Sequence, residues 1–236
     1  LEQLDVLIRR LVTPRTPEEV NLVKAALVSA CSRMPDLDAA ADKLMTAWNS
    51  ASPDARLIIV EVLGAMGGSR ALAILGRLGK EGDDAVQDAV TRVLGEWMSA
   101  DAGPVLLDLA KTGNPKYRIR ALRGYIRIAR QLEVPLEDRI AMCAQALQAA
   151  QRPEEKRLVL EVLRRYPTST GLQLAVTLLS DAELRPEAAD SAIQIAEKLP
   201  ASDAATVARA MDQVIQANVG AELTQKAQAI RKKVGR

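Results

Sequence analysis

A short motif with proline in its second position recurs along the chain and limits most strongly how the chain can fold. It reads TPEE from Thr16, SPDA from Ser52 and NPKY from Asn114, and RPEE and RPEA follow further along. Proline is favoured at the first position of an α-helix, where its missing N–H leaves no hydrogen bond unmade. Each motif is therefore expected to begin a helix. The prolines concerned are Pro17, Pro53, Pro115, Pro153 and Pro186.

The spacing between these motifs indicates a repeating structural unit. If Asp84 of the GDDA stretch takes the place of a missing proline, successive helix starts are 36, 31, 31, 38 and 33 residues apart. Ala221 follows 35 residues after Pro186 and continues the series. Self-similarity at such a period is the signature of repeat architectures, in which each unit packs on its neighbours.

Apolar residues after each motif recur with the period of one helix face. After Pro53 they are Ala55, Ile59, Val62 and Leu63, the spacing that buries one side of an α-helix. A second set of such stripes lies between the motif helices, and no alternating run of β-branched residues competes with them. The sequence therefore predicts an all-α fold, a right-handed α-solenoid (an α-α superhelix) of about seven antiparallel helix pairs. We expect a single array over residues 1–236, with repeats at roughly 1–34, 35–67, 68–99, 100–133, 134–167, 168–200 and 201–236.

The residue types present exclude several classes of active site. The chain has no histidine, so it lacks the usual general base at neutral pH and the commonest metal ligand. Catalysis by Ser-His-Asp or Cys-His arrangements is excluded for the same reason. Cys31 and Cys143 form no CxxC motif and fall on or beside apolar helix faces, so we expect core residues and not nucleophiles. We predict no cofactor, no bound metal and no enzymatic activity.

Charge and hydropathy limit the partners as well. The formal net charge is only +2, so no overall field draws the protein toward nucleic acid. No apolar run reaches the length that spans a bilayer, and we predict no membrane insertion. Aromatic residues make up 2% of the chain, so alanine, leucine and valine must fill the core of closely packed helices.

The two ends of the sequence differ in polarity. The first helix, LEQLDVLIRRLV, is apolar on most sides, whereas the first repeat of an array needs a polar outer face. The last helix, ELTQKAQAIRKKVGR, is mostly polar and ends in cations, which suits a terminal repeat. We therefore expect that the array was cut from a longer chain, with further sequence before Leu1 and a natural end at or near Arg236.

The sequence from Asp54 onward reads DARLIIVEVLGAMGG and continues as SRALAILGRLGKEG. These two segments resemble the HEAT repeat, in its bacterial bilin-lyase-type variant. The resemblance implies an α-α superhelix in which the second helix of each pair lines a concave surface. An arginine typical of this variant is kept at the equivalent position of some repeats and replaced in others. Those positions hold Arg56, Gln87, Arg118, Lys156 and Ala189.

Three further segments, ALRGYIRIARQ, AMCAQAL and EEKRLVLEVL, are similar to HEAT regions within large exported bacterial multidomain proteins. Some of those proteins also carry a jelly-roll domain that resembles glycoside hydrolases. The similarity implies an exported or periplasmic location. It also implies an alternative role, as the accessory domain of a larger glycan-active enzyme.

The segment KYRIRALRGYIRIAR contains six cations and no acid, unlike the evenly mixed charges elsewhere. Five of the cations recur at spacings of 4, 3, 4 and 3 residues, which places them on one side of a helix. Tyr117, Ala121, Tyr125 and Ile128 fall on another side and are expected in the core. We call these five cations the basic stripe, a candidate binding surface for an anion or an acidic partner: Lys116, Arg120, Arg123, Arg127 and Arg130.

Two interpretations of the basic stripe remain open, and internal bracing is favoured over binding. Aligning the repeats places acids of the flanking helices opposite the stripe, and exposed salt bridges of this kind contribute at most about 1 kcal/mol each. Binding remains an alternative, because arginine offers bidentate donors to carboxylate and phosphate. Nucleic acid ranks last, since the cations stop after one helix and every aromatic side chain except Trp48, which stays open, falls on a predicted core position. The aligned pairs are Glu154 with Lys116, Glu161 with Arg123, and Glu96 with Arg127.

The function that the sequence favours is a non-catalytic scaffold, a protein–protein interaction domain that presents a curved groove. Its partner would be another protein or an attached domain. The accessory role beside a glycan-active domain is the alternative. A HEAT-like lyase or DNA glycosylase ranks below it, because no aromatic-lined pocket with a catalytic aspartate can be placed in the sequence.

Overall fold

The computed structural model describes residues 2–14 and 16–234, and these residues form only helices, turns and loops. They contain fourteen α-helices and three short 3-10 helices, which confirms the all-α prediction. None of these helices combines the length and the apolar character needed to cross a membrane. The α-helices are α1 (Glu2–Val12), α2 (Pro17–Cys31), α3 (Leu37–Met45), α4 (Pro53–Met66), α5 (Ser69–Glu81), α6 (Asp84–Gly95), α7 (Gly103–Thr112), α8 (Arg118–Gln131), α9 (Leu136–Ala149), α10 (Pro153–Arg165), α11 (Ser169–Thr177), α12 (Arg185–Ala196), α13 (Ala204–Gln216) and α14 (Ala221–Val234).

The described residues divide into two compact units, one up to Tyr125 and one from Ile126 onward. The boundary falls within α8, so the first unit holds α1 to α7 with the start of α8, and the second unit holds the rest. A single continuous array over residues 1–236 stays a prediction. Leu1 and Arg236, on which the expected ends depend, lie outside the described residues.

Helices stack in the same order in both units. In the first unit α2, α4 and α6 pack side by side, and so do α1, α3, α5 and α7. In the second unit α10, α12 and α14 pack side by side, and so do α9, α11 and α13. Helices that alternate in sequence are thus neighbours in space, as in a helical-repeat solenoid. We call the even-numbered helices, α2 to α14, the second helices.

Aliphatic and small side chains fill the space between the helices. Ile59 and Leu63 of α4 are fully buried, and so are Ala121 and Ile128 of α8. Their burial confirms the helix faces that the apolar spacing predicted, and it removes from water the surface that stabilises each stack.

Capping side chains explain why several helices begin at the proline motifs. Thr16 Oγ1 accepts a hydrogen bond from the backbone N–H of Glu19 at 3.3 Å, and Ser52 Oγ accepts one from that of Ala55 at 3.3 Å. These bonds satisfy N–H groups that the first turn of a helix leaves without a partner. Four predicted starts are confirmed to within one residue, those at Pro17, Pro53, Pro153 and Pro186.

The NPKY motif does not begin a helix, contrary to the prediction. The Asn114 side chain accepts a hydrogen bond from the Lys116 N–H at 3.0 Å, and its amide donates to the Gln87 side chain at 2.9 Å. This local turn competes with helical geometry. Pro115 and Lys116 therefore lie in a turn, and α8 begins at Arg118. Lys116 precedes the helix that carries the other four cations of the basic stripe.

At three of the five equivalent repeat positions named above, the side chain holds the turn that precedes its own helix. A carbonyl in the turn after a helix needs a partner from elsewhere, and a donor from the next helix supplies it. Arg56 Nε donates to the carbonyl of Trp48 at 3.0 Å, Gln87 Nε2 to that of Gly82 at 2.7 Å, and Arg118 Nε to that of Gly113 at 2.8 Å.

A buried arginine holds a similar turn in the second unit. Arg139 is 5% exposed, and its guanidinium lies 3.9 Å from the centre of the Tyr166 ring, which is half-buried and not fully in the core as expected. Arg139 donates to the carbonyls of Leu132 and Val134 at 3.1 Å each, and to that of Ala129. A buried charge persists only when its donors are satisfied in this way. Nothing in the sequence indicated this role, because the acceptors are backbone atoms.

Candidate functional site

The basic stripe lies on the solvent side of α8 and of the turn before it. Its members are exposed (Lys116 and Arg123) or half-buried (Arg120, Arg127 and Arg130). The residues predicted to face the core are all buried: Tyr117, Ala121, Tyr125 and Ile128. The helical spacing therefore separated the cations from the apolar residues correctly.

In the first unit, the basic stripe is bonded to acids of α6. Lys116 Nζ lies 2.6 Å from Asp84 Oδ2, and Arg120 Nη1 lies 2.7 Å from Asp88 Oδ1. The hydrogen bond from Lys116 holds the pKa of Asp84 below its ordinary value, because it stabilises the charged carboxylate. Both pairs join α8 to the neighbouring second helix.

In the second unit, the end of the basic stripe is bonded to α10. Arg130 Nη1 lies 3.5 Å from Glu161 Oε2. Further ion pairs of the same kind join α10 to α12, with N to O distances of 3.2 Å and 3.7 Å. They are formed by Arg157 with Glu187 and by Arg164 with Asp190.

The partners of the stripe differ from those that the alignment of repeats predicted. Glu161 pairs with Arg130, two helical turns beyond Arg123. Lys116 pairs with Asp84 of α6, where the alignment had Glu154 of α10. Long side chains reach acids above or below their own level, so the alignment of repeats does not fix the register. Arg123 and Arg127 also interact with other groups of the protein. These contacts are those that a brace requires, and binding by the stripe stays a proposal.

Three of the five aromatic side chains and both cysteines are withdrawn from solvent. Tyr117, Tyr125 and Trp97 are 4%, 3% and 5% exposed, whereas Trp48 and Tyr166 are half-buried. Cys31 and Cys143 are free and buried, which confirms that they are core residues. Burial raises the pKa of Cys143 to about 12, so this side chain is a neutral thiol at physiological pH. Among residues 2–14 and 16–234, no group of three or more acidic or thiol side chains could hold a metal ion.

A cleft of about 650 Å³, which the sequence analysis did not predict, opens on α2, α4 and α6 of the first unit. Gly64 and Ala65 of α4 line it, together with Val28 of α2 and Val93 of α6. The helices α4 and α6 approach closely here, because a Cβ atom at Gly64 would collide with the Val93 side chain. We name this surface the Met98 cleft, after the most exposed apolar residue that lines it.

The loop after α6 holds Met98 in an exposed position. The buried Trp97 donates from its indole Nε1 to Ser99 Oγ at 2.9 Å and to Asp101 Oδ1 at 3.0 Å. Ser99 Oγ itself donates to Asp101. Because the residues on both sides are anchored, the Met98 side chain stays 81% exposed. The sequence did contain a sign of this, since Met98 follows the last apolar position of α6 and precedes a polar turn.

Comparisons with known proteins leave the family of this chain unassigned. No protein-family model and no curated protein sequence matches it. An engineered protein from the Northeast Structural Genomics Consortium is 18% identical, with 98% of this chain and 68% of that chain covered and a TM-score of 0.47. The complex of CpcE and CpcF of phycocyanin lyase from Nostoc sp. PCC7120 is 16% identical, with 98% and 94% covered and a TM-score of 0.41. The de novo designed helical repeat protein DHR64 is 19% identical, with 98% and 88% covered and a TM-score of 0.17. At these values the comparisons assign neither family nor function, and the helical-repeat fold rests on the helix stacking described above.

Proposed function

We propose that this chain is a non-catalytic scaffold that holds a protein partner on the surface of its second helices. The observation that supports the proposal is the stacking of second helices within each unit, α2 to α6 and α10 to α14. Side-by-side helices of this kind offer an extended surface for a partner. Such a surface is already ordered before binding, so little conformational entropy is lost when the partner arrives.

The basic stripe is the part of this surface that we assign to an acidic segment of the partner. The Arg120 and Arg130 side chains are 41% and 37% exposed although each is paired with an acid. A guanidinium carries more N–H donors than one carboxylate oxygen occupies. Arginine can therefore brace a neighbouring helix and still donate to a carboxylate of the partner. Lys116, Arg123 and Arg127 complete the proposed contact.

A titration with a labelled oligo-glutamate peptide tests this assignment. The peptide should bind with an affinity that falls as salt rises, because the contact is electrostatic. Binding should disappear in the variant Arg120→Glu/Arg123→Glu/Arg127→Glu. The control is Arg33→Glu/Arg77→Glu/Lys111→Glu, which changes the net charge equally at exposed cations outside the stripe.

Circular dichroism of both variants separates a binding role from a bracing role. We expect the stripe variant to keep its helicity and lose the peptide. A variant that unfolds shows that the stripe acts as a brace, and equal peptide binding by the two variants removes the stripe from the proposal. Tighter binding of a single-stranded oligonucleotide, with a steep dependence on salt, would overturn the choice of an acidic protein as partner.

A further inference from the structure

The Met98 cleft has a lining of small and apolar groups that leaves room for a side chain from outside. Gly64 brings α4 close to Val93 of α6, and Ala65 is exposed beside it. The turn after α4 continues this lining with Gly67 and Gly68, whose φ angles of 72° and 93° favour glycine. Since none of these four lining residues from α4 and its turn carries a side chain beyond Cβ, the cleft remains open above them.

Met98 supplies an adaptable apolar contact at the same cleft. Its side chain is 81% exposed, while the anchored Trp97 and Ser99 hold the backbone on either side. An exposed apolar side chain on a fixed backbone is suited to burial by a partner, because the backbone beneath it does not have to be ordered on binding. Methionine in particular adjusts its shape to different partners.

The charges around the Met98 cleft identify the kind of partner that fits it. Lys24 and Glu61 form an ion pair with each other, and Arg92 Nε lies 3.3 Å from Asp88. Glu96 is exposed, and its carboxylate has no hydrogen-bond or ion-pair partner among the described residues. Glu96 is therefore the lining charge that lacks a partner of its own among these residues, and a cation from outside can pair with it.

We propose that the Met98 cleft binds a segment of a partner protein that combines an aliphatic side chain with a nearby lysine or arginine. The aliphatic side chain enters above Gly64 and Ala65 and contacts Val93 and Met98, and the cation pairs with Glu96. This inference rests on the proposed scaffold function and adds a second contact, of opposite charge preference to the basic stripe. A partner with both an acidic segment and an apolar, basic segment would engage the two surfaces together.

The test uses a labelled helical peptide with two leucines four residues apart and a lysine beside them. Matched peptides replace the lysine by glutamate or both leucines by serine. We expect only the leucine and lysine peptide to bind the wild-type chain. Met98→Ser should weaken its binding roughly tenfold, the effect of one central apolar contact. Glu96→Lys should instead favour the glutamate peptide. Leu22→Ser, which removes a 72% exposed leucine outside the cleft, should change nothing.

Methyl NMR on the six methionines locates the peptide. We expect the Met98 methyl signal to shift on titration, since the other five methionines are buried or half-buried. An unshifted Met98 signal, or equal binding of the three peptides, overturns the inference.

A dimer of the wild-type chain that Met98→Ser abolishes also overturns it, because a second copy then fills the cleft. If the leucine and lysine peptide fails to bind but the oligo-glutamate peptide binds, only the inference about the Met98 cleft fails. If neither peptide binds, the scaffold proposal fails as well.

Discussion

Two neighbouring seams of the first unit are built in opposite ways. Between α4 and α6, the helices meet closely where Gly64 lies against Val93. Between α6 and the start of α8, polar side chains make the connection: Gln87 with Asn114, Asp84 with Lys116, and Asp88 with Arg120. We call these the glycine seam and the polar seam.

The difference shows where a stack of helices gains stability and where it leaves room for a partner. At the polar seam, long side chains extend over the surface and form ion pairs and hydrogen bonds with one another. At the glycine seam, the backbone of one helix approaches the other, and Gly64 and Ala65 put no side chain beyond Cβ into the Met98 cleft above it. The predicted effects of substitution follow from this contrast, since the glycine seam should tolerate added volume least and the polar seam should respond to pH.

The largest effect is expected from Gly64→Val. The added side chain collides with Val93 and forces α4 and α6 apart, so we expect the free energy of unfolding to fall by about 3 kcal/mol. Urea unfolding followed by circular dichroism measures the change. Gly95→Ala is the control, because it also replaces a glycine within a helix, but a Cβ atom at Gly95 meets nothing within 4 Å.

The control should raise stability by about 0.5 kcal/mol, through helix propensity and the lost freedom of the unfolded chain. Combining Gly64→Ala with Val93→Ala should restore part of what Gly64→Ala alone removes. If Gly64→Val unfolds no more easily than the wild-type chain, the two helices can separate without loss. The glycine seam would then not be a close-packed contact.

The sequence predicted those features that depend on contacts within one turn of helix. Pro53 and Ser52 identified the start of α4 because the capping hydrogen bond spans only three residues. At NPKY, Asn114 instead holds a local turn by accepting from the Lys116 N–H, and its side-chain amide bonds to Gln87, which lies in another helix pair. The sequence does not show which distant residue an amide will meet.

For the candidate sites, too, local features could be predicted from the sequence and contacts between distant residues could not. The spacing of the cations placed the basic stripe on one side of a helix. The acid that meets each cation depends on how the start of α8 aligns with α6 in the first unit and how its end aligns with α10 in the second. The Met98 cleft was missed altogether, because it requires α4 and α6 to approach at Gly64. A glycine within a helix has many possible causes, and the sequence alone does not distinguish close packing from the others.

The next effect is expected at the buried part of the polar seam, from Gln87→Met. The substitution keeps the volume but removes donors to Gly82 and Lys80 and an acceptor for Asn114. Leaving these groups without partners should cost about 2 kcal/mol of stability. Gln194→Met on α12, where the amide donates to Asp190, is the matched control and should cost at most about 0.5 kcal/mol. Equal losses in the two variants would mean that water satisfies the Gln87 partners.

A smaller, pH-dependent effect is expected at the exposed part of the polar seam, from Lys116→Met. Lys116 lowers the pKa of Asp84 in the folded state, so the pair stabilises the fold above the ordinary pKa of an aspartate, about 4. That contribution is lost as the pH falls through the lowered pKa of Asp84. Wild type and variant should therefore differ near neutral pH and agree in strong acid. Urea unfolding across this pH range measures the difference. Lys111→Met is the control, because Lys111 is exposed and pairs with no acid among residues 2–14 and 16–234. A difference that persists in acid would mean that packing by the lysine chain, not the ion pair, stabilises the seam.

The smallest effect on stability is expected from Met98→Ser at the Met98 cleft. Because Met98 is 81% exposed, its removal should change the free energy of unfolding by less than about 0.5 kcal/mol. Met66→Ser at the end of α4 makes the same substitution at a side chain that is 6% exposed, and it should cost about 3 kcal/mol. The contrast decides whether the cleft is open in solution. If Met98→Ser costs as much as about 1 kcal/mol, Met98 packs against Val93 and the chain covers its own cleft. A small loss means that the glycine seam leaves this surface uncovered, and a partner that binds there does not first have to displace the protein's own side chains.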